Sequence, residues 1–169
     1  MTDDPSDFRE PHLRRGDFLG AFAVHETEAG ILVVGNRRVV GGRTVTTWDL
    51  PGGQVEPSEL LHEALSRELH EELGIRPRGV APFLFLQEGE RRRGGRRVHA
   101  WRSFFFAVSA FDGVLGSGVE ALPWRFLSRA ELAVGNDVPY HDSFRSWLIG
   151  GGTLFHSVWD DDVGEIRES

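Results

Sequence analysis

Three glutamates and an arginine, Arg67, Glu68, Glu71 and Glu72, stand within one short segment of the chain. At about 100° per residue of an α-helix, Glu68 and Glu72 lie one turn apart on the same face. That face also carries most of the leucines of the segment, so it should pack on a core. Two carboxylates on a half-buried face repel each other and resist ionisation unless a cation neutralises them. A hard divalent metal ion with oxygen ligands is the simplest such cation.

The residues around these acids predict a strand end, a tight turn and a helix. The turn is Pro51–Gly53, which follows an extended run ending at Leu50. Pro57 and Ser58 predict the helix start, with Ser58 as the N-cap, and Gly74 ends the helix. The turn should therefore bring backbone atoms close to the glutamates.

Residues 53–75 match the Nudix box, Gly-x5-Glu-x7-Arg-Glu-U-x-Glu-Glu-x-Gly-U with U apolar, at every specified position. The matching residues are Gly53, Glu59, Arg67, Glu68, Leu69, Glu71, Glu72, Gly74 and Ile75. The chain therefore resembles the Nudix family. The resemblance implies an α/β fold, namely an α/β/α sandwich around a mixed β-sheet.

The resemblance also implies an activity: hydrolysis of the pyrophosphate bond of a nucleoside diphosphate linked to another group. It favours (deoxy)nucleoside triphosphates, including damaged ones as in MutT-like enzymes, or nucleotide sugars. The implied cofactor is Mg²⁺ or Mn²⁺, held by Glu68, Glu71, Glu72 and the carbonyl of Gly53. Glu59 and Arg67 are implied as orienting residues. These residue types suit phosphoryl transfer independently, because metals bound through carboxylates can neutralise a diphosphate and align water.

The general base stays open between a box glutamate, Glu71 or Glu72, and an acid on a late loop. Glu120 stands where the loop acid of the family is expected, just before a predicted strand at residues 123–127. The competing interpretation of Glu120 is an ordinary surface carboxylate.

Two strong strands are predicted at residues 80–87 and 98–108, joined by a loop that carries five arginines: Arg91, Arg92, Arg93, Arg96 and Arg97. A solvated hairpin tip is one interpretation. The other is that Arg91, Arg93 and Arg97 bind substrate phosphates, because guanidinium groups pair well with phosphate.

Weaker patterns predict the remaining elements. Upstream, we expect a hairpin of strands 18–25 and 31–34, a loop over residues 36–43 and a strand over 45–50. Downstream, we expect a glycine-rich loop over residues 111–118, a capping box from Ser128 to Glu131, and a helix over 139–149.

Length and composition indicate one domain. The chain has 169 residues, 40% of them apolar, so we predict a single domain over residues 17–159, a solvated lead-in over 1–16 and an acidic tail over 160–169. The formal charge of −7 argues against general affinity for nucleic acid or an anionic membrane. The absence of cysteine excludes disulfides and thiolate sites.

The chain also lacks a long apolar run and an apolar leader, which predicts a cytoplasmic protein. All 19 basic residues are arginine, which is typical of GC-rich bacterial coding. The expected partner is a small-molecule nucleotide. Members of the family are often dimers, and no interface can be identified in this sequence.

Two other functions remain to be weighed. A non-catalytic Nudix module could bind a nucleotide and regulate, but such modules usually have broken box acids. Outside the family, the acidic helix could be a partner-binding surface or a calcium site, although the sequence has no EF-hand spacing.

Overall fold

The computed structural model describes residues 17–40, 42–134 and 141–168. The predicted lead-in, residues 1–16, lies outside them. In chain order the elements are β1 (Phe18–Val24), β2 (Glu26–Thr27), β3 (Gly30–Val40), β4 (Arg43–Asp49), β5 (Gly52–Gln54), α1 (Leu61–Leu73), β6 (Ile75–Pro77), β7 (Phe83–Arg93), β8 (Arg96–Ala107), β9 (Phe111–Gly113), β10 (Trp124–Leu127), α2 (Arg129–Val134), α3 (His141–Gly150), β11 (Leu154–Asp160) and β12 (Gly164–Glu168).

Six of these strands form a mixed sheet in the order β12-β11-β7-β8-β1-β5. The pairs β1–β8 and β7–β11 are parallel, and the other neighbours are antiparallel. A second sheet runs β10-β3-β2, with β4 paired to β3. The short strands β6 and β9 pair with each other.

Two hydrophobic cores lie on opposite faces of the six-stranded sheet, because successive side chains of a strand point to opposite faces. On one face, Ala21 and Ala23 of β1 belong to the same core as Leu65 and Leu69 of α1. The other face carries Phe22, Phe85 and Phe105, together with Phe144 and Trp147 of α3. Helices therefore cover both faces, and the predicted α/β/α sandwich around a mixed sheet is confirmed.

The predicted hairpin between strands 18–25 and 31–34 is wrong, because these two strands do not pair with each other. β1 joins the six-stranded sheet, and the hairpin forms between β2 and β3 instead. The predicted loop over residues 36–43 is also wrong, since β3 continues to Val40 and β4 begins at Arg43. The charged residues of this segment favoured the prediction of a loop. In the structure, the Arg38 guanidinium on β3 donates to Thr47 Oγ1 at 2.9 Å and to Asp49 Oδ2 at 3.1 Å, both on β4.

The five clustered arginines lie on strands rather than on a loop. β7 and β8 run through the segment and turn only at Gly94 and Gly95, both of which have positive φ. Four of the arginines are neutralised by two carboxylates. The ion pairs are Arg91–Asp161 at 2.7 Å, Arg93–Asp161 at 2.8 Å, Arg92–Glu90 and Arg97–Glu90.

The end of the chain is more ordered than its acidic composition predicts. Residues 154–160 and 164–168 form a hairpin whose first strand pairs in parallel with β7. Within the acidic tail expected over residues 160–169, residues 164–168 form β12 at the edge of the six-stranded sheet. Asp161 shows the physical reason, because the arginines of β7 neutralise its charge.

Several of the weaker predictions are confirmed in detail. β10 lies within the strand predicted at 123–127. The Ser128 amide donates to Glu131 Oε2 at 2.8 Å and the Glu131 amide to Ser128 Oγ at 3.2 Å, which is the predicted capping box. The loop predicted over 111–118 contains one short strand, β9. Among the described residues, no helix is both long and apolar enough to cross a membrane.

Candidate functional site

The helix α1 carries the acidic cluster and begins later than predicted. Leu60, not Ser58, is the N-cap, and its amide donates to Glu63 Oε2 at 2.9 Å. Ser58 instead adopts a left-handed conformation with φ 69°. The helix ends at Gly74, which has φ 76°, as its sequence position predicts.

The turn before the helix places backbone directly on two glutamates. The Gly52 amide donates to Glu72 Oε2 at 2.9 Å. Gly53 packs against the carboxyl group of Glu68, since a Cβ atom at residue 53 would lie 2.6 Å from Glu68 Cδ. Any side chain at this position would therefore displace the Glu68 carboxylate. The predicted approach of the turn to the acids is present.

Glu72 is buried, with 7% of its surface exposed. Burial raises its pKa to about 8, and the hydrogen bond from Gly52 opposes this rise. The negative charges of Glu68, Glu120 and Asp49 raise the pKa further. Burial also raises the pKa of Glu68, while Arg67 opposes it. The site therefore favours a cation next to these carboxylates.

Arg67 connects the remaining box acids. Its Nε lies 2.9 Å from Glu59 Oε1, and its Nη1 lies 2.8 Å from Glu68 Oε1 and 3.1 Å from Glu71 Oε2. Its Nη2 donates to the carbonyl of Gln54 at 2.9 Å. The hydrogen bond from Arg67 lowers the pKa of Glu59. This geometry suits the orienting roles predicted for Glu59 and Arg67, which stay predictions.

The structure also brings Glu120 to the box. Its backbone amide donates to the carbonyl of Glu71 at 3.0 Å, so the loop is attached to the C-terminal end of α1. The side chain of Glu120 is exposed, and its charge raises the pKa of both Glu68 and Glu72. The placement fits a loop acid beside the site, and its role as general base stays a prediction.

The arginine hairpin lies apart from the box. Gly53 is in register with Ala21, and Ala21 with Phe104 of β8. Arg97 is seven residues from Phe104 along β8, which corresponds to roughly 20 Å of strand. Binding of substrate phosphates by Arg91, Arg93 and Arg97 stays a prediction, and the structure does not bring these residues together with the glutamates.

Sequence reasoning missed Asp49, a second buried acid near the box with 4% exposure. Its Oδ2 accepts hydrogen bonds from Asn36 at 2.7 Å, Arg38 at 3.1 Å and Thr47 at 3.3 Å. The Asp49 charge raises the pKa of Glu72. The available signal was an acid at the end of a strand, two residues before Pro51–Gly53 and its turn.

The donor set fits a hard divalent cation. Glu68, Glu71 and Glu72 offer carboxylate oxygens, which Mg²⁺ and Mn²⁺ prefer. Gly53 brings the backbone of the turn against the carboxyl group of Glu68, and a side chain at residue 53 would displace that group. Within residues 17–40, 42–134 and 141–168, no three His, Asp or Glu side chains already converge on one metal position. A metal bound by Glu68 would compete with Arg67 for the same carboxylate.

This chain is similar in sequence to one protein family and to several known proteins. A family model described as NUDIX domain matches residues 17–148. A CTP pyrophosphohydrolase of Escherichia coli is 38% identical over 80 residues, which cover 46% of this chain and 53% of that protein. An 8-oxo-dGDP phosphatase, NUDT18, of Danio rerio is 31% identical over 103 residues, covering 61% of this chain and 28% of that protein. The matched regions thus span at most about half the length of these two relatives.

A solved structure shows the same fold. The mutator MutT protein of Bacillus halodurans superposes with a TM-score of 0.67, covering 89% of this chain and 95% of that chain. Its sequence identity is 18%, so this likeness concerns the fold alone.

Proposed function

We propose that this chain, which belongs to the Nudix family, is a divalent-metal-dependent hydrolase that cleaves the pyrophosphate bond of a nucleoside diphosphate linked to another group. One observation carries the proposal: the buried Glu72 carboxylate, with Glu68 beside it, against the Gly52–Gly53 backbone. A carboxylate whose pKa is raised to about 8 needs a nearby cation to be ionised at neutral pH.

The residues divide into ligands, orienting groups and a base. Glu68, Glu71, Glu72 and the Gly53 carbonyl would hold Mg²⁺ or Mn²⁺. When bound, such an ion supplies charge neutralisation at the diphosphate. Arg67 keeps Glu68 and Glu71 in place through its two hydrogen bonds, and Glu59 anchors Arg67 in turn.

The base must accept the proton of the attacking water. Glu120 and the box glutamates Glu71 and Glu72 are the candidates, because their carboxylates lie around the same end of α1. Glu120 is exposed, so its carboxylate is open to solvent from which the water comes. We place the base at Glu120 and keep Glu72 as a ligand.

The substrate is expected to be a (deoxy)nucleoside triphosphate, including a damaged one, or a nucleotide sugar. The names of two relatives support nucleotides, since they specify CTP and 8-oxo-dGDP. A cytoplasmic location, a homodimeric state and the absence of a nucleic-acid partner stay predictions.

The direct test is product analysis after incubating the protein with a panel of nucleoside triphosphates and nucleotide sugars. We expect turnover with Mg²⁺ or Mn²⁺ and none with EDTA, and the products identify the phosphorus that is attacked. Measurable nucleotide binding without any turnover would overturn the proposal and support a non-catalytic, regulatory Nudix module.

Replacing Gly53 by Ala should reduce kcat by about 10-fold to 100-fold, the usual effect of disturbing the support of a metal ligand. The new Cβ would overlap the carboxyl group of Glu68. Gly53 does not have a positive φ, so the change adds volume without backbone strain. Steady-state kinetics over a range of Mg²⁺ concentrations measures the effect. Gly150→Ala is the control, since a Cβ there would meet no atom within 4 Å outside its chain neighbours and its own helix backbone. Equal kinetics of the two variants would contradict the prediction.

A further inference from the structure

The loop over residues 114–121 is attached to the C-terminal end of α1. The Gly116 amide donates to the Leu73 carbonyl at 2.8 Å, and the Glu120 amide donates to the Glu71 carbonyl at 3.0 Å. The last carbonyls of a helix have no partner within the helix itself. Here the loop supplies two of those partners, so the helix end and the loop form one unit.

Between these two hydrogen bonds, Gly118 touches the helix backbone. A Cβ atom at residue 118 would lie 2.4 Å from the carbonyl carbon of Glu72 and 2.5 Å from the carbonyl oxygen of Glu71. Gly118 does not have a positive φ, so its backbone conformation is open to any residue. Residue 118 has no room for a side chain, because the loop lies directly on the backbone of Glu71 and Glu72.

The turn that follows places Glu120. The Ala121 amide donates to the Gly118 carbonyl at 3.1 Å, which closes a four-residue turn with Glu120 inside it. Ala121 has φ 49°, a left-handed conformation that is unfavourable for a residue with a Cβ atom. Such conformations persist where the surrounding contacts fix them. The turn is therefore held by its contact with α1.

We propose that Gly118 is a positioning residue that sets the place of the Glu120 carboxylate beside the box glutamates. This inference rests on the proposed function. The backbone of Gly118 lies on Glu71 and Glu72, and Glu120 follows two residues later in the same turn. The Gly118 contact therefore sets the distance between the loop acid and the box acids, together with the hydrogen bond from the Glu120 amide to the Glu71 carbonyl. The close contact at residue 118 is thus part of the geometry of the reaction.

The test is Gly118→Ala, compared in two backgrounds. Ordinary contact with the helix backbone needs more than 3.4 Å, so the new methyl group pushes the loop away by about 1 Å, a misplacement that can cost about 100-fold in rate. We expect kcat to fall by this factor with KM nearly unchanged. In a Glu120→Gln background, the same substitution should have little further effect, because the two changes act through one group.

The outcomes separate the possible explanations. An equal loss of kcat in both backgrounds would overturn the inference, since Gly118 would then act on the helix and not through Glu120. A wild-type kcat for Gly118→Ala would overturn it as well. If this variant does not fold, Glu120→Asp withdraws the carboxylate by one methylene without touching α1. A kcat as low as that of Glu120→Gln supports the inference, and a wild-type kcat overturns it.

The same experiment distinguishes this inference from the function on which it rests. Absence of metal-dependent turnover in the unmodified protein would overturn both. Turnover in the unmodified protein, combined with either of the contradicting results above, would overturn only the positioning role of Gly118.

Discussion

Replacing Glu72 by Gln should reduce nucleotide hydrolysis by roughly 10²–10⁴-fold, the range for loss of an essential ionisable group, while the fold remains intact. A glutamine at residue 72 can still accept the hydrogen bond that Gly52 donates at 2.9 Å. It has no negative charge with which to hold a divalent ion. The loss should therefore appear in kcat at every Mg²⁺ concentration, measured by product formation with the best substrate of the panel.

The matched control is Glu28→Gln, because Glu28 is exposed in the turn between β2 and β3. This variant should hydrolyse nucleotides at the rate of the unmodified protein. Near-normal hydrolysis by Glu72→Gln would remove Glu72 from the metal site and would leave its burial without a functional explanation.

In the metal-free protein, the free energy of unfolding should fall as the pH rises from about 5 to 8. The pKa of Glu72 is 4.5 when it is unfolded and about 8 in the folded state. Below both pKa values Glu72 is protonated in both states, so it does not make the free energy of unfolding depend on pH. Between the two pKa values only the unfolded state loses the proton, so a rise in pH lowers the free energy of unfolding. The total loss is on the order of a few kcal/mol, and it is complete above pH 8.

Denaturant unfolding with EDTA at pH 5 and at pH 8.5 measures this loss. Mg²⁺ should restore stability most strongly at pH 8.5, because a cation stabilises the ionised carboxylate. Glu72→Gln should have a much flatter pH dependence and should be more stable than the unmodified protein in EDTA at pH 8.5. A pH-independent stability of the metal-free protein would contradict the raised pKa.

The acidic centre could be predicted from the sequence because it is local. The spacing of residues 53–75 fixes which glutamates share a helix face, and a proline-glycine-glycine turn leaves few paths for the chain. The N-cap was wrong for an equally local reason. The Glu56 amide donates to Glu59 Oε2 at 3.0 Å, and Arg67 binds the same residue, so residues 56–60 form a separate turn before the helix.

The strands with charged residues could not be predicted in the same way. A window around Arg91 shows a mainly basic segment, and the partner of Arg91, Asp161, is 70 residues later in the chain. Likewise, a window around Asp161 shows only an acidic end. The basic segment and the acidic segment can both form strands because their charges neutralise each other when the two are paired. The buried Asp49 was missed for a similar reason, since two of its partners, Asn36 and Arg38, lie on another strand.

The long antiparallel pairing of β7 with β8 has a consequence for the order of folding. Its two strands are separated only by Gly94 and Gly95, so the loss of chain entropy on closing this loop is small. The parallel pairs β1–β8 and β7–β11 instead join residues that are far apart in the chain, and such pairings form slowly. We therefore expect the hairpin to form first and to act as a template, with β1 adding to one side and β11 to the other. The carboxylate centre, which needs β5 beside β1, would then be among the last parts of the molecule to assemble.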